Sequence, residues 1–270
     1  MKDSFLYILF SVIAFSITYS ISLLTKIDLV NYAVLFSFLL QWILFIPAYF
    51  FQTEKFYDIS GSLNFIIIIS YIYYNSYNTY GFNIGNLILS LLIIIWAIRL
   101  GSLLFIRIQK DGEDKRFRTI KPSPTKFFMT WTLQGVWVCI CSLCAITGIS
   151  SENGIIVNHL FYLGLLIFIL GFAIEIIADY QKTKFRKNPK NKNNFISSGL
   201  WSYSRHPNYL GEISLWTGIS IISFSSLSNW QFITLISPIF IYILLVHISG
   251  IRFLEASSNK KWGHLKSYQQ

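Results

Sequence analysis

The chain has 270 residues, of which 54% are hydrophobic and 18% aromatic, and its mean hydropathy is +0.53. These values exceed what a soluble domain of this length needs for its core. They exclude a water-soluble enzyme and indicate a protein that is integral to a bilayer. The formal net charge is +10, but the sequence contains no soluble basic module, so we expect no nucleic-acid partner.

Eight apolar stretches are candidates for membrane-spanning helices, each of which needs ~20 residues. In chain order they cover residues 5–24, 29–51, 63–77, 86–106, 127–148, 157–178, 210–227 and 230–250. The third is the weakest. The first is longer than the apolar part of a secretory signal and lacks a cleavage site of the A-x-A type, so we expect it to be retained. The sequence therefore predicts an all-α integral membrane protein with about seven to eight transmembrane helices.

The basic residues test this count. Of the 22 Lys and Arg residues, Lys26 lies in a loop after an odd-numbered stretch and Arg99 lies within a stretch, whereas the other 20 lie before the first stretch or after even-numbered ones. Because cytoplasmic loops carry the excess of Lys and Arg, both termini are predicted to be cytoplasmic. We expect a multi-pass protein of a bacterial inner membrane or the endoplasmic reticulum, with an active site open to the cytoplasm.

Three cysteines lie in the fifth stretch, at positions 139, 141 and 144. Their spacing is compatible with metal binding, but no His, Asp or Glu lies nearby, and Cys139 and Cys141 point to different faces of a helix. We interpret them as packing residues and expect no metal site.

Arg99 lies in the middle of an apolar stretch, where an unpaired guanidinium would cost at least ~2.5 kcal/mol. It therefore needs a partner or a hydrated cavity. Glu175 and Asp179 are suitable counterparts, since they are spaced i, i+4 near the end of the sixth stretch. Whether such a pair would serve catalysis or only join two helices stays open.

Hydrogen-bond donors are concentrated after the sixth stretch, where six Lys or Arg residues lie between Lys182 and Lys192. A cytoplasmic loop alone would explain them. However, they are followed closely by Arg205, His206 and Asn208, a density of phosphate and sugar partners that topology does not require.

The segment "SRHPNYLGE" and the glycine before it predict a turn followed by the start of a helix. Gly199 permits a turn after the basic loop, and Pro207 disfavours helix at His206 but suits the first turn of a new helix. The N–H groups of that helix start favour an anion, which Arg205 and His206 would flank. Tyr209 and Glu212 share one face of the new helix.

"SRHPNYLGE", with "FRKNPKNKNNFISSGLW" upstream, resembles the membrane steroid 5α-reductase and sterol reductase superfamily, within its branch of unknown function. "TEKFYDISGS", "RLGSLLFIRI" and "IEIIADYQK" are also typical of that branch. The resemblance implies an enzyme that binds NADPH from the cytoplasmic side and reduces a C=C double bond of a hydrophobic, steroid-, sterol- or isoprenoid-like substrate. It implies one membrane domain, 1–270, with substrate-cavity helices in 1–106 and a cofactor-binding region in 127–270. The expected partners are that substrate and membrane lipids.

The resemblance also implies site residues. The cofactor-binding residues would be Asp179, Tyr180, Arg186, Asn194, Arg205, His206, Asn208, Tyr209, Glu212, Arg252 and Glu255. Steroid 5α-reductases place a tyrosine, which donates to the substrate carbonyl, one turn before an arginine that resembles Arg99. Trp96 stands at that position here and cannot act as a proton acid. The expected catalytic residues are therefore Trp96, Arg99 and Glu54, with Tyr57 or Asp58 as the candidate proton donor.

Two alternatives stay open. Membrane methyltransferases that use S-adenosylmethionine, including the isoprenylcysteine carboxyl methyltransferases, also carry an Arg-His-Pro-x-Tyr motif before a late helix. They typically lack the Asn-Tyr-x-Gly-Glu continuation and the donor loop seen here. The second alternative is a non-catalytic lipid-binding membrane protein, which the replacement of the catalytic tyrosine by Trp96 would permit.

Overall fold

The computed structural model describes residues 2–191, 193–265 and 268, without the side chains of Lys2 and Ser257. Within this part of the chain all regular structure is helical, which confirms the all-α prediction. The α-helices are α1 (Lys2–Leu24), α2 (Asp28–Phe50), α3 (Tyr57–Tyr80), α4 (Ile84–Asp111), α5 (Pro124–Ile149), α6 (His159–Lys187), α7 (Pro207–Phe224), α8 (Ser237–Ile243) and α9 (Ile251–Trp262). Short 3₁₀ helices cover Lys115–Thr119, Pro189–Asn191, Gly199–Ser202 and Asn229–Ile236, and a π-helical turn covers Leu244–Ile248.

Among the described residues, six segments are long and apolar enough to cross a membrane. They are Asp3–Leu24, Asp28–Phe50, Ile84–Asp111, Pro124–Ile149, His159–Lys187 and Asn229–Trp262. The third and seventh predicted stretches are also helical, as α3 and α7, but they are more polar. Serine, asparagine and tyrosine side chains interrupt α3, and the first two turns of α7 carry the polar motif.

The helices divide into two compact units. Unit 1 comprises Met1–Asn158 and Ser223–Leu235, and unit 2 comprises His159–Ile222 and Ile236–Gln270. In unit 1, α5 is the central helix, because it packs against α1, α2 and α3. Every residue from 138 to 149 is buried, including the three cysteines. The apolar interior of unit 1 therefore surrounds the second half of α5.

Unit 1 has two distinct ends. At the first, which we call the basic end, loops 51–56 and 112–123 are joined by Glu54. Its carboxylate accepts a hydrogen bond from the backbone N–H of Asp114 (2.8 Å) and pairs with Lys121. Phe117 anchors the second loop, since only 4% of its surface is exposed. The opposite end consists of segments 25–28, 81–83, 150–158 and 223–235, the last of which is joined to the others by Ser226 and Gln231. There Asn86 donates to the carbonyl of Ile149 (3.2 Å) and accepts from the backbone N–H of Ile155 (2.7 Å).

In unit 2, α6 and α7 pack in antiparallel order through glycines. Gly164 and Gly171 of α6 lie against Gly218 and Gly211 of α7, respectively. A Cβ atom added to any of the four would lie 2.6 or 2.7 Å from a backbone oxygen of the partner helix. Only glycine permits this close approach. It places Glu175 of α6 beside the first turns of α7, because its backbone nitrogen is among the atoms that face Gly211.

Adding one methyl group to this glycine contact should destabilise unit 2. We expect Gly171→Ala to cost about 1–3 kcal/mol, as overpacking does elsewhere, and to lower the Tm measured in detergent by several degrees. Ala173→Val is the matched control, because Ala173 lies on the same helix and is exposed. Equal Tm values for both variants would show that the glycine contact does not limit stability.

Candidate functional site

The chain that precedes the polar motif is held against the end of α6. Gly199 adopts φ +64°, which confirms the predicted turn, and a Cβ atom at this position would collide with Gln181. Gln181 Oε1 accepts a hydrogen bond from the backbone N–H of Leu200 (3.0 Å). Trp201 Nε1 donates to the carbonyl of Ala178 (3.0 Å). These contacts fix where the motif begins.

The helix α7 starts at Pro207, as the sequence predicts. The carbonyl of His206 accepts hydrogen bonds from the N–H groups of Tyr209 (3.1 Å) and Leu210 (3.2 Å), so it caps the first turn. The imidazole of His206 stacks on the ring of Tyr209, with centroids 5.6 Å apart and planes inclined by 12°. Proline therefore orients both aromatic rings by setting the helix start.

One carboxylate contacts both Arg205 and His206. Glu255 of α9 accepts a hydrogen bond from Arg205 Nη1 (2.9 Å) through one oxygen and lies 2.8 Å from His206 Nε2 through the other. The Tyr268 hydroxyl lies 3.5 Å from Glu255. We call Arg205, His206, Tyr209, Glu255 and Tyr268 the Glu255 cluster. Four of its members were predicted site residues, and the structure joins them across 50 residues of sequence.

Tyr268 was not predicted. Its carbonyl accepts a hydrogen bond from Arg205 Nη2 (2.7 Å), and the Arg205 guanidinium carbon lies 4.5 Å from the centre of its ring. Phe195 and Trp262 pack against the same ring, with centroid distances of 5.2 and 6.2 Å. Trp262 also donates to the carbonyl of Asn193 (2.8 Å). The only sequence signal was the presence of aromatic residues in a polar tail, and no local pattern assigns them a partner.

The Glu255 cluster retains groups that can bind a ligand. Because a carboxylate only accepts hydrogen bonds, His206 Nε2 carries a hydrogen, and Nδ1 is then an acceptor in the neutral ring. This Nδ1 is buried, and no hydrogen-bond partner reaches it among the residues that the structure describes. The Arg205 side chain is 48% exposed. A guanidinium has five N–H donors, so its two bonds to Glu255 and Tyr268 leave donors for an anion.

The remaining predicted cofactor residues also lie in unit 2. Asn194 is exposed in the loop that contacts Trp262, and Arg186 is exposed at the end of α6. Half-buried or exposed positions on the helices are occupied by Asp179, Tyr180, Asn208, Glu212 and Arg252. Their roles stay predictions.

The candidate proton donors lie at the basic end of unit 1. Tyr57 donates its hydroxyl hydrogen to the carbonyl of Thr130 (3.0 Å), and the Glu54 carboxylate is engaged as described above. Asp58, which precedes the apolar part of α3, is partly buried beside Arg116 and Arg107. Burial raises the pKa of the Asp58 carboxyl, although these two positive charges act in the opposite direction. Asp58 is thus the candidate best suited to hold a proton.

Trp96 and Arg99 lie deeper along α4. Trp96 is 1% exposed, and its ring packs edge-on against Phe65, with centroids 5.2 Å apart. Phe65 lies seven residues beyond Asp58 on α3, which corresponds to about 10 Å along the helix axis. Trp96 is therefore at a different level of unit 1 from the candidate proton donors. Arg99, one turn nearer the basic end, is half-buried.

Residues 44–270 match a protein family described as a protein of unknown function, DUF1295. The chain belongs to the DUF1295 family. This confirms the resemblance to the steroid 5α-reductase-like group, and the match covers the Glu255 cluster and the helices of both units from the second half of α2 onward. No solved structure matches the chain.

Three curated proteins that are similar to this DUF1295 protein carry the names of two kinds of enzyme. The chain is 30% identical over 109 residues to the probable O-methyltransferase ustE of Ustilaginoidea virens, covering 34% of the chain and 38% of that protein. It is 31% identical over 93 residues to human 3-oxo-5-alpha-steroid 4-dehydrogenase 2, covering 34% of each. The Macaca fascicularis protein of the same name is 35% identical over 65 residues, covering 24% of the chain and 26% of that protein. The chain thus spans about a third of the length of these relatives.

The ring of Tyr268 should stabilise the Glu255 cluster. We expect Tyr268→Ala to increase the rate of amide hydrogen exchange in α9 and in residues 193–199, because Arg205, Phe195 and Trp262 lose the surface on which they pack. Tyr268→Phe keeps that surface and loses only the hydroxyl, so its exchange should match that of the wild type. If the two variants exchange equally fast, the ring is not what holds α9.

Proposed function

We propose that this protein is a membrane oxidoreductase that uses NADPH to reduce a C=C double bond of a hydrophobic, steroid-, sterol- or isoprenoid-like substrate. The observation that carries the proposal is the Glu255 cluster. There a partly exposed guanidinium and an imidazole, whose buried Nδ1 has no partner among the described residues, flank the first turn of α7. The similarity to 3-oxo-5-alpha-steroid 4-dehydrogenase 2 supports the choice of a reductase.

The donor set of unit 2 fits a dinucleotide with phosphates. Arg205 and Arg186 offer forked N–H groups that suit phosphate oxygens. The helix dipole of α7 also places partial positive charge at its start. His206 Nδ1 would accept a hydrogen bond from a ribose hydroxyl or a carboxamide. The carboxylates of Asp179 and Glu212 provide further acceptors for such groups.

Glu255 would preorganise this site. Its two oxygens separate the guanidinium of Arg205 from the imidazole of His206 and hold each in one orientation. It also fixes which nitrogen of His206 carries the hydrogen, so that Nδ1 is presented as an acceptor. The carboxylate compensates part of the positive charge of the motif before a ligand arrives.

NADPH supplies a hydride when bound, and the protein must provide orientation, exclusion of water and a proton. Asp58 is our candidate donor of that proton, because its buried carboxyl retains a proton more readily than an exposed one. Tyr57 is the weaker candidate, since a backbone carbonyl engages its hydroxyl hydrogen. Trp96 would shape the apolar lining for the substrate rather than transfer a proton.

Methyl transfer from S-adenosylmethionine is the second candidate function. The similarity to the probable O-methyltransferase ustE favours it. S-adenosylmethionine has one carboxylate and no phosphate, so a site for it would engage fewer of the exposed cations around α6 and α7 than a dinucleotide would. The cofactor that binds therefore discriminates between the two functions. A non-catalytic lipid-binding protein would bind neither cofactor.

NADPH should raise the Tm of the purified protein by mass action, whereas S-adenosylmethionine should leave it unchanged. We expect Arg205→Gln to weaken NADPH binding by about tenfold or more, as the loss of charge-assisted hydrogen bonds predicts. Arg118→Gln is the matched control, because Arg118 is exposed in unit 1 and pairs only with Glu113 among the described residues. Thermal shift and direct titration measure both effects.

Stabilisation by S-adenosylmethionine alone would refute the reductase proposal and support the methyltransferase. Normal NADPH binding by both Arg205→Gln and His206→Ala would mean that the cofactor site lies elsewhere. Absence of a response to either cofactor would favour the lipid-binding protein.

A further inference from the structure

The opposite end of unit 1 carries very few charges. Segments 25–28, 81–83, 150–158 and 223–235 contain only Lys26, Asp28 and Glu152 as charged residues. Lys26 is also the exception to the distribution of basic residues described above. All three residues line one cavity of 530 Å³. The few charges of this end are therefore gathered at a single site rather than scattered over its surface.

The wall of this cavity is firmly built. Gln231 donates through Nε2 to the carbonyl of Thr25 (3.1 Å) and accepts through Oε1 from the backbone N–H of Ser228 (3.0 Å). Lys26 and Asn229 adopt φ values of +56° and +48°, a left-handed conformation that L residues avoid. Such conformations are strained and persist where the surroundings impose them. Lys26 is thus held beside the cavity by a defined turn.

The lining contains unused hydrogen-bonding capacity. Ser150 lines the cavity and is 4% exposed, and within the described residues no partner reaches its hydroxyl. The side chains of Ser151, Asn153 and Ser225 also line the cavity. The Ser151 hydroxyl donates to the carbonyl of Gly148 (2.8 Å), and the Ser225 hydroxyl accepts from Asn158 (2.8 Å) but keeps its own hydrogen for a ligand. A buried hydroxyl without a partner is unfavourable unless a ligand or water completes it.

A second cavity of 830 Å³ adjoins the first and shares the lining residues Lys26, Ser228 and Gln231 with it. Its lining adds two large apolar side chains, Leu24 and Trp230, which are 40% and 65% exposed. Together the two cavities have a charged, hydroxyl-rich part and a part with apolar edges. That combination matches a ligand with a polar head and a hydrocarbon chain.

We propose that these cavities bind one phospholipid with an amine headgroup, of the phosphatidylethanolamine type. Lys26 would pair with the phosphate, and Asp28 and Glu152 would pair with the ammonium group. Leu24 and Trp230 would contact the start of an acyl chain, since tryptophan suits the boundary between headgroups and hydrocarbon. An anionic lipid without an amine would leave both carboxylates unmatched, so the zwitterionic headgroup is preferred. The site is independent of the reductase proposal.

Titration of the delipidated full chain tests this, with native mass spectrometry as the readout. The probes are dioctanoyl phosphatidylethanolamine, dioctanoyl phosphatidylglycerol and free phosphoethanolamine. We expect the phosphatidylethanolamine to bind most tightly. Lys26→Gln and Glu152→Gln should each lower the affinity for this lipid by about tenfold or more. Lys55→Gln, an exposed lysine of the basic end, should bind like the wild type.

Trp230→Ala distinguishes the apolar part of the site from the charged part. It should weaken binding of the phosphatidylethanolamine and leave binding of free phosphoethanolamine unchanged. The Tm of each unliganded variant shows whether it is folded. Equal or tighter binding of phosphatidylglycerol would overturn the preference for an amine. If free phosphoethanolamine binds as tightly as the lipid, the ligand is not a membrane phospholipid. Wild-type affinity in folded Lys26→Gln and Glu152→Gln would overturn the site itself.

Discussion

A charged side chain in a bilayer must reach an end of its helix or find a partner, and this constraint organises the protein. In unit 1 it places the acidic and basic residues of loops 51–56 and 112–123 together, where Glu54 joins the two loops through Lys121 and Asp114. At the other end it leaves three charges, and these gather around one cavity. The charged residues of unit 1 are therefore concentrated in two places. One is the basic end, where the candidate proton donors lie, and the other is the cavity for which we propose a lipid.

In unit 2 the same constraint acts together with close helix packing. Glycine contacts bring α6 and α7 together and set the start of α7 beside the polar end of α6. Arg205 and His206 then lie at a helix end, where Glu255 of α9 satisfies both. The side chains of Arg205 and His206 thus have a carboxylate partner before any ligand binds. The proposed cofactor would use the donors that remain.

Local patterns predicted the parts of this site that depend on neighbouring residues. Pro207 and Gly199 act through backbone geometry, so the helix start and the turn were predictable from sequence. The roles of Tyr268 and Trp262 depend on contacts with residues 63 and 69 positions away, respectively. Composition and periodicity carry no signal for contacts at that separation. The charges of Lys26, Asp28 and Glu152 were visible, but only the fold shows that they share a cavity. The weak apolarity of α3 was also visible, because its polar residues interrupt the stretch itself.

Transfer of a labelled group tests the central claim most directly. Membranes that contain the protein would be supplied with NADPH deuterated at C4 of the nicotinamide, or with S-adenosylmethionine carrying a deuterated methyl group, and their lipids compared by mass spectrometry. We predict that one deuterium from NADPH enters a lipid that also gains one unlabelled hydrogen, and that Glu255→Ala membranes lose this product. Transfer of the labelled methyl group, with no deuterium from NADPH, would contradict the reductase proposal.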